Sequence, residues 1–366
     1  MTRSSSALLF CVLLLFAVGL VMVFNTTSAE VLDRGLDRNT AHALIKQIAY
    51  SVVGMIGAFL VWKTGYRQLL TWSGPLLLIG TFFLILVYIP GVGLQLNGAN
   101  RWINVFGHSF QPSEVVKYLI PLYAISVLCS TDNVSLKDFL KLLVKISIPI
   151  ALILLEPDNG TVFILLMTLV VLCIMTGVKW IYWALPMLIL AVVGAVAASQ
   201  MQHVPDRIRV YLHPESDLKG KGHQPHQAKI AAGSGGLFGK GVGESLQKLD
   251  YLPEARSDYI AAIFAEEFGF VGILGLILTY MLIGCFGFYI AAQASDNIGY
   301  ILACVLTFLI CFQAFLNLGV VSGLLPSKGT NLPFFSHGGS SLLANFLAVS
   351  LLLNIAKHSK RDEKKA

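Results

Sequence analysis

The stretch YIAAIFAEEFGFVGILGLILTYMLIGCFGFYIAA (residues 259–292) decides the fold of this chain. It is apolar over more than the roughly eighteen to twenty residues that a helix needs to cross a hydrocarbon core about 30 Å thick. Its apolar residues run continuously, without the strict alternation of a barrel strand, so a helix is indicated. The segment therefore predicts a transmembrane helix long enough to enter the bilayer obliquely.

Further apolar runs lie on both sides of this segment. The chain of 366 residues is 56% hydrophobic and only 13% charged, with a mean hydropathy of +0.74, which is roughly half the charge of a soluble domain. We predict an all-α, polytopic membrane protein that forms a single membrane domain over residues 1–366. About ten transmembrane helices are expected, at 7–25, 46–64, 72–91, 113–130, 143–157, 160–178, 181–199, 259–292, 299–320 and 340–357.

The distribution of Lys and Arg sets the orientation, because basic residues next to short loops stay in the cytoplasm. It predicts that both termini are cytoplasmic, including the tail 358–366, and that one large extracytoplasmic loop spans about 200–258. The first apolar run exceeds the core of a signal peptide, so we expect it to be retained. All six cysteines fall inside predicted spans without CxxC spacing, so the sequence suggests neither a disulfide framework nor a zinc knuckle. The net charge of +6 comes mainly from the cytoplasmic edge and does not imply a nucleic-acid partner.

The large loop is rich in glycine and histidine. Its Gly239-Lys240 pair fits neither the P-loop nor the dinucleotide spacing, so no nucleotide motif is present. The glycines can form an anion-binding nest or only a compact turn. His223 and His226 have a spacing that suits a metal on a helix, but Pro225 between them argues against a helix interior, and solvated histidines are favoured.

Several ionisable residues lie where the predicted spans begin. Asp258 is either the N-cap of the following helix, a role that Ser257 fits equally well, or a general base at the outer boundary. Glu266 and Glu267 lie further into the same apolar segment and must face protein, water or a cation. Other such residues are Glu114 and Lys117 on one helical face, Arg101 as an interface anchor or phosphate ligand, and the acids of the turn Glu156–Thr161.

The last outer loop, GLLPSKGTNLPFFSHGGSS, carries two prolines, Lys328, His337 and paired glycines. Irregular backbone is tolerated at membrane depth only inside protein or along a water-filled cavity. We interpret this loop as a re-entrant segment.

Four segments together resemble the SEDS family (shape, elongation, division, sporulation): GANRWINVFGHSFQPSEVVK, EPDNGT, the loop that runs from PESD through GSGGLFGKGVGESLQKLDYLPEARSDY, and GLLPSKGTNLPFFSHGGSS. The resemblance covers about residues 45–357, and its several motifs agree at once. The Lys in LLPSKG is closer to the division branch of the family than to the elongation branch. His337, His223 and Glu156 depart from the family pattern, where Tyr, Tyr and Gln are common.

The resemblance implies a ten-helix peptidoglycan glycosyltransferase that polymerises lipid II outside the cytoplasmic (inner) membrane during cell division. It implies a class B penicillin-binding protein as partner, other divisome membrane proteins, and a location at the division septum. The family's essential acid corresponds to Asp258, which reverses the preference for capping. Residues that correspond to other functional positions and are expected to bind substrate are Arg101, Glu114, Lys117, Gln227, Lys229, Lys248, Glu254, Lys328 and Ser340.

The chemistry expected of Asp258 is removal of a proton from the acceptor sugar hydroxyl. Arg101, Lys117 or a divalent cation, Mg²⁺ or Mn²⁺, would offset charge on the lipid diphosphate, and no organic cofactor is expected. Three alternatives stay open: a lipid II flippase, an elongation-type polymerase, and a division scaffold. A transporter would use Glu114, Lys117, Glu266 and Glu267 along a pathway instead of one outer carboxylate.

Overall fold

The computed structural model describes residues 2–33, 40–96, 99–105, 107–130, 134–200, 211, 222–249, 252, 254–327 and 329–359. The described residues form twelve helices: α1 Arg3–Asp33, α2 His42–Thr64, α3 Tyr66–Thr71, α4 Ser73–Leu86, α5 Pro112–Leu128, α6 Leu136–Leu155, α7 Asn159–Met175, α8 Trp180–Gln200, α9 His223–Ser234, α10 Ile260–Ala292, α11 Asn297–Val321 and α12 Gly339–Lys357. A helix lies at each of the ten predicted spans. Helices α1, α2, α10, α11 and α12 are long and apolar enough to cross a membrane; the count of ten stays a prediction.

The core of the bundle lies around α11 and α12, because 72% and 78% of the residues in their most apolar stretches are buried. Helix α2 packs along α12 but is only 17% buried, so most of its surface faces outward. Helix α10 packs between α1 and α11. In a membrane protein such exposed apolar faces meet lipid, because lipid tails are as apolar as the side chains.

One end of the bundle carries basic residues that were predicted to be cytoplasmic. Arg67 and Asp296 form an ion pair of 2.9 Å, and Lys357 lies over the ring of Trp62. We call this the inner end, following the predicted orientation, and the opposite end the outer end.

A small antiparallel sheet at the outer end was missed by the sequence analysis. Its strands are β1 Gly93–Leu96, β2 Ala99–Val105 and β3 His108–Phe110, in the order β1-β2-β3. Leu94 pairs with Trp102, and Asn104 pairs with Ser109. The sheet leads directly into α5.

Two further features differ from the sequence expectations. Helix α9 begins at His223 and passes through Pro225, contrary to our expectation; Pro225 lies in the first turn, where the missing N–H has no helical acceptor to lose. Helix α10 is broken at Gly269 (φ 67°, ψ −163°). We call the short part before the break, residues 260–268, the first half of α10, and the long part after it, residues 270–292, the second half.

Candidate active site at the outer end of the bundle

The segment 329–336 enters the bundle without regular secondary structure. Three of its carbonyls accept hydrogen bonds from the side chains of Gln313 (2.8 Å), Asn317 (2.6 Å) and Tyr280 (2.5 Å). Phe334 and Phe335 are buried. These bonds satisfy backbone groups that could not face lipid. The segment is irregular backbone buried inside the bundle, as a re-entrant segment requires, and we keep that name for it.

The residues before α10 are fixed against this re-entrant segment. Ser336 donates to the carbonyl of Ser257 (2.6 Å), and the His337 amide donates to the carbonyl of Arg256 (3.0 Å). Ser257 in turn donates to the Glu254 carboxylate (2.6 Å). Two loops that are distant in sequence therefore form one polar surface at the outer end.

Asp258 lies in this surface and is half-buried. Asn317 donates 2.8 Å to its carbonyl, and a Cβ at Gly329 would lie 2.9 Å from its Oδ2 atom. The capping interpretation is wrong, because the N-cap of α10 is Tyr259 and has no side-chain cap. The absence of a side chain at Gly329 leaves room for the Asp258 carboxylate. A partly exposed carboxylate on a fixed backbone suits a general base.

Arg101 fastens the sheet to the turn between α6 and α7. Its guanidinium donates to the carbonyls of Glu156 (2.9 Å) and Pro157 (2.6 Å). Asp158 caps α7 by accepting from the amide and hydroxyl of Thr161. In this structure Arg101 and Asp158 hold the outer end together; the phosphate-binding role of Arg101 stays a prediction.

Glu156 is fully buried in the same turn, directly after α6. Neither carboxylate oxygen has a hydrogen-bond partner among the described residues. Burial and, to a lesser extent, the neighbouring Asp158 carboxylate together raise the pKa of Glu156 to about 9, against the opposing effect of Arg101. The side chain is therefore neutral at pH 7.

Glu114 and Lys117 pair as their spacing predicted, at 2.8 Å. Lys117 also donates 2.7 Å to Gln313, and both charged residues are buried. Gln313 contacts the re-entrant segment through its amide nitrogen. The pair thus lies one hydrogen-bonded residue away from the polar surface around Asp258.

Glu266 and Glu267 are buried in the first half of α10 and each binds a lysine of the preceding loop. Glu266 accepts from Lys240 (2.6 Å) and Ser245 (2.5 Å). Glu267 accepts from Lys248 (2.9 Å) and from Asn25 of α1 (2.6 Å). Sequence reasoning required a partner for both acids but could not name it, since the bonded residues are far apart along the chain. Lys248, predicted to bind substrate, is a partner in this buried network.

The other predicted site residues lie around the same end. Gln227 approaches His223 at 3.5 Å on α9. Lys229 packs on Gly323, where a Cβ would overlap its side chain. Ser340 accepts from the Gln111 amide (2.8 Å), which joins α12 to the start of α5. Lys328 lies outside the described residues. Among the described residues no group of three or more His, Cys, Asp or Glu side chains could hold a metal ion.

The fold and this surface define a multi-pass helical membrane protein with the half-buried Asp258 at one end of the bundle. The family model named FtsW/RodA/SpoVE, described as cell cycle protein, matches residues 5–361. The chain belongs to this family, which is the SEDS family.

Curated relatives cover nearly the whole chain. The chain is 36% identical to "Probable peptidoglycan glycosyltransferase FtsW" of Trichlorobacter lovleyi, over 95% of this chain and 92% of the relative. It is 38% identical to the protein of the same name in Coxiella burnetii, over 95% of each. It is 36% identical to stage V sporulation protein E of Bacillus subtilis, over 98% of each.

Solved structures share the fold. A chain from a peptidoglycan synthase complex that coordinates polymerization and crosslinking superposes with a TM-score of 0.75 at 25% identity, over 96% of both chains. The rod shape determining protein RodA of Thermus thermophilus superposes with a TM-score of 0.68 at 26% identity, over 96% of this chain and 95% of RodA.

Proposed function

We propose that this protein is a peptidoglycan glycosyltransferase that polymerises lipid II at the outer face of the bacterial cytoplasmic membrane. The observation that carries the proposal is the placement of Asp258. Asp258 is half-buried at the outer end, with its carboxylate beside Gly329, on a backbone that Asn317 and the re-entrant segment hold. The names of the FtsW relatives support the same reaction.

Asp258 acts as general base on the acceptor. It takes the proton from a sugar hydroxyl, whose oxygen then attacks the anomeric carbon of the donor and displaces undecaprenyl diphosphate. The polyprenyl tails stay in lipid, so only the head groups reach the polar surface. A carboxylate at the boundary between membrane and water suits such a substrate.

The leaving diphosphate needs positive charge nearby. The side chain of Arg101 is 2.6–2.9 Å from the two carbonyls that hold it at the outer end, and the guanidinium is partly exposed. Lys117 is buried against Glu114 and Gln313, so it contributes only if the bundle opens. A divalent cation, Mg²⁺ or Mn²⁺, would reach this site with the diphosphate, since Mg²⁺ is usually held by one or two carboxylates plus substrate phosphates.

A class B penicillin-binding protein is the proposed partner, and other divisome proteins are expected beside it. The fold match to a chain of a synthase complex that couples polymerization to crosslinking supports this. The Lys of LLPSKG and the FtsW relatives favour division over elongation, and therefore a septal location.

Asp258→Asn tests the proposal. Purified full-length protein with its transpeptidase partner is given labelled lipid II, with and without a chelator. We expect the variant to keep the melting temperature of the wild type and to lose polymerisation by at least ~10²–10⁴-fold, the usual contribution of a general base. The matched control is Glu244→Gln, an exposed carboxylate of the same loop region. Polymerisation that persists in Asp258→Asn would refute the role of Asp258.

The same variant separates polymerisation from transport. A flippase pathway would need free acids along the bundle, yet Glu266 and Glu267 are each paired with a lysine. In proteoliposomes, lipid II crossing that depends on Glu114 or Lys117 and not on Asp258 would favour the transporter. A scaffold would keep cells dividing after Asp258→Asn.

A further inference from the structure

Leu237 and Phe238 form an exposed apolar pair in the outer loop that follows α9. Their exposed fractions are 65% and 82%, and no other large hydrophobic residue in the described part of the chain is as exposed as Phe238. Contiguous exposed apolar side chains, unlike scattered ones, mark a surface that meets a protein partner or a membrane. The polar surface around Asp258 does not use this pair.

The loop that carries the pair is rigidly joined to α10. Gly236 and Leu237 accept hydrogen bonds from the amides of Phe270 (2.9 Å) and Val271 (3.1 Å), directly after the break at Gly269. The amides of residues 240 and 241 donate to carbonyls of the helix before the break, at 3.0 and 3.1 Å. The two buried lysine–glutamate pairs fasten the same segment. The exposure of Phe238 is therefore imposed by a fixed backbone.

The length of α10 sets the depth of the pair. From Phe270 to Ala292 the helix is about 34 Å long at about 1.5 Å per residue, which matches a hydrocarbon core about 30 Å thick. Its inner end lies close to the Arg67–Asp296 pair. On α11, Asn317 lies about 30 Å from Asn297 by the same rise, so Asp258 has a similar height. Phe270 and the loop bonded to it consequently lie at the outer boundary of the membrane.

The pair also continues a surface of α10 that faces lipid. Phe270, Val271 and Met281 are 59%, 53% and 59% exposed along the second half of the helix. The Leu237 carbonyl accepts a hydrogen bond from the Val271 amide at the outer end of this surface. Charged neighbours on the loop, Lys240 and Lys248, are turned into the ion pairs with the helix.

We infer that Leu237 and Phe238 insert into the outer leaflet and contact phospholipid chains at the boundary between head groups and acyl chains. The insertion is shallow, because irregular backbone does not enter the hydrocarbon exposed to lipid, whereas apolar side chains at an interface reach about 5–10 Å into it. This anchor holds the loop, and with it the first half of α10 that starts beside Asp258, at a fixed height. The inference does not depend on the proposed activity.

Nitroxide accessibility in lipid nanodiscs tests the insertion. The full chain carries Cys285→Ala, which removes an exposed cysteine, and one reporter at a time: Phe238→Cys, Leu237→Cys, Met281→Cys or Glu244→Cys. The nanodiscs contain phosphatidylethanolamine and phosphatidylglycerol only, so no partner protein is present. Collisions with oxygen report lipid, and collisions with a water-soluble nickel chelate report solvent.

The expected order of the ratio of oxygen to nickel collisions is Met281 highest, Phe238 and Leu237 intermediate, and Glu244 lowest. A nickel accessibility at both 237 and 238 equal to that at 244 would place the pair in water and overturn the inference. Low collision rates with both reagents would show that a second copy of the chain covers the pair, and would overturn it as well. A melting temperature equal to that of the unlabelled protein verifies that each reporter is folded.

Discussion

Asp258 and the acid pair Glu266–Glu267 belong to the same short stretch of chain, yet their surroundings are opposite. Glu266 and Glu267 are buried, and each binds a lysine and further donors. Asp258 is half-buried, and hydrogen bonds from Asn317 and Ser336 fix its backbone carbonyl and the loop before it. A carboxylate that is sealed with a cation stabilises the fold, whereas one on a fixed backbone with partial access to solvent can exchange a proton.

Removing a partner from the buried network is the strongest way to test this difference. Lys248→Met leaves the Glu267 carboxylate buried without its cation, and breaking such a pair costs ~3–5 kcal/mol of unfolding free energy. We expect a large fall in melting temperature in detergent, with polymerisation lost only because the protein unfolds. Asp258→Asn should show the reverse, with an unchanged melting temperature and no polymerisation.

The double variant Lys248→Met/Glu267→Gln provides the control for this prediction. It removes both charges, so much of the lost stability should return, because a neutral pair leaves no buried ion. Equal melting temperatures for Lys248→Met and the wild type would contradict the role of the ion pair.

The difference between the two regions was only partly predictable from the sequence. Apolar runs locate helices because backbone groups in lipid must be hydrogen-bonded within the chain. An acid inside such a run needs a charged or polar partner. The partner itself depends on how the loop folds back, and no local pattern relates Lys248 or Asn25 to Glu267. The sheet at 93–110 and the break at Gly269 were missed because short strands and single dihedral angles leave weak signals. The carboxylate of Asp258 was found through the family resemblance, since the residue pattern alone favoured an N-cap.

Glu156 extends the comparison to a buried acid whose side chain has no hydrogen-bond partner among the described residues. Because its pKa is raised to about 9, the folded state keeps a proton that the unfolded state releases above its ordinary pKa near 4.5. Unfolding free energy therefore falls as pH rises between these values, by up to ~1.4 kcal/mol per pH unit. Glu156→Gln removes this dependence, so the variant should gain stability relative to the wild type between pH 5 and pH 8.5.

Melting curves of both proteins at the two pH values measure this effect. At pH 5 the two should nearly coincide, since Glu156 is protonated in the fold and Gln is close to it in shape. A difference in melting temperature that is the same at both pH values would show that the Glu156 carboxyl does not titrate as its burial requires.

Glycines of the outer loop test the close contact between the loop and the acid pair. Gly239 has φ 81°, and a Cβ there would overlap the Glu267 carbonyl, while Gly243 has φ 88° and nothing within 4 Å of such a Cβ. Both substitutions to Ala place a side chain at positive φ, which costs on the order of 1 kcal/mol. Gly239→Ala should cost ~1–3 kcal/mol more than Gly243→Ala, because the backbone must shift to admit the methyl group. Thermal unfolding of the two variants measures the difference, and equal melting temperatures would show that the loop is not held against α10.

The Arg67–Asp296 pair at the inner end is an exposed ion pair that can be compared with the buried Lys248–Glu267 pair at the outer end. Its N–O distance of 2.9 Å equals that of Lys248–Glu267, but the side chains are 67% and 30% exposed, against 6% and 0% in the outer pair. Water and salt screen exposed charges, so Arg67→Ala should cost only ~0.2–1 kcal/mol. Melting temperatures at low and high salt measure the difference: the effect of Arg67→Ala should shrink at high salt, whereas that of Lys248→Met should persist. If the two variants responded alike to salt, burial would not be what separates the ion pairs of this protein.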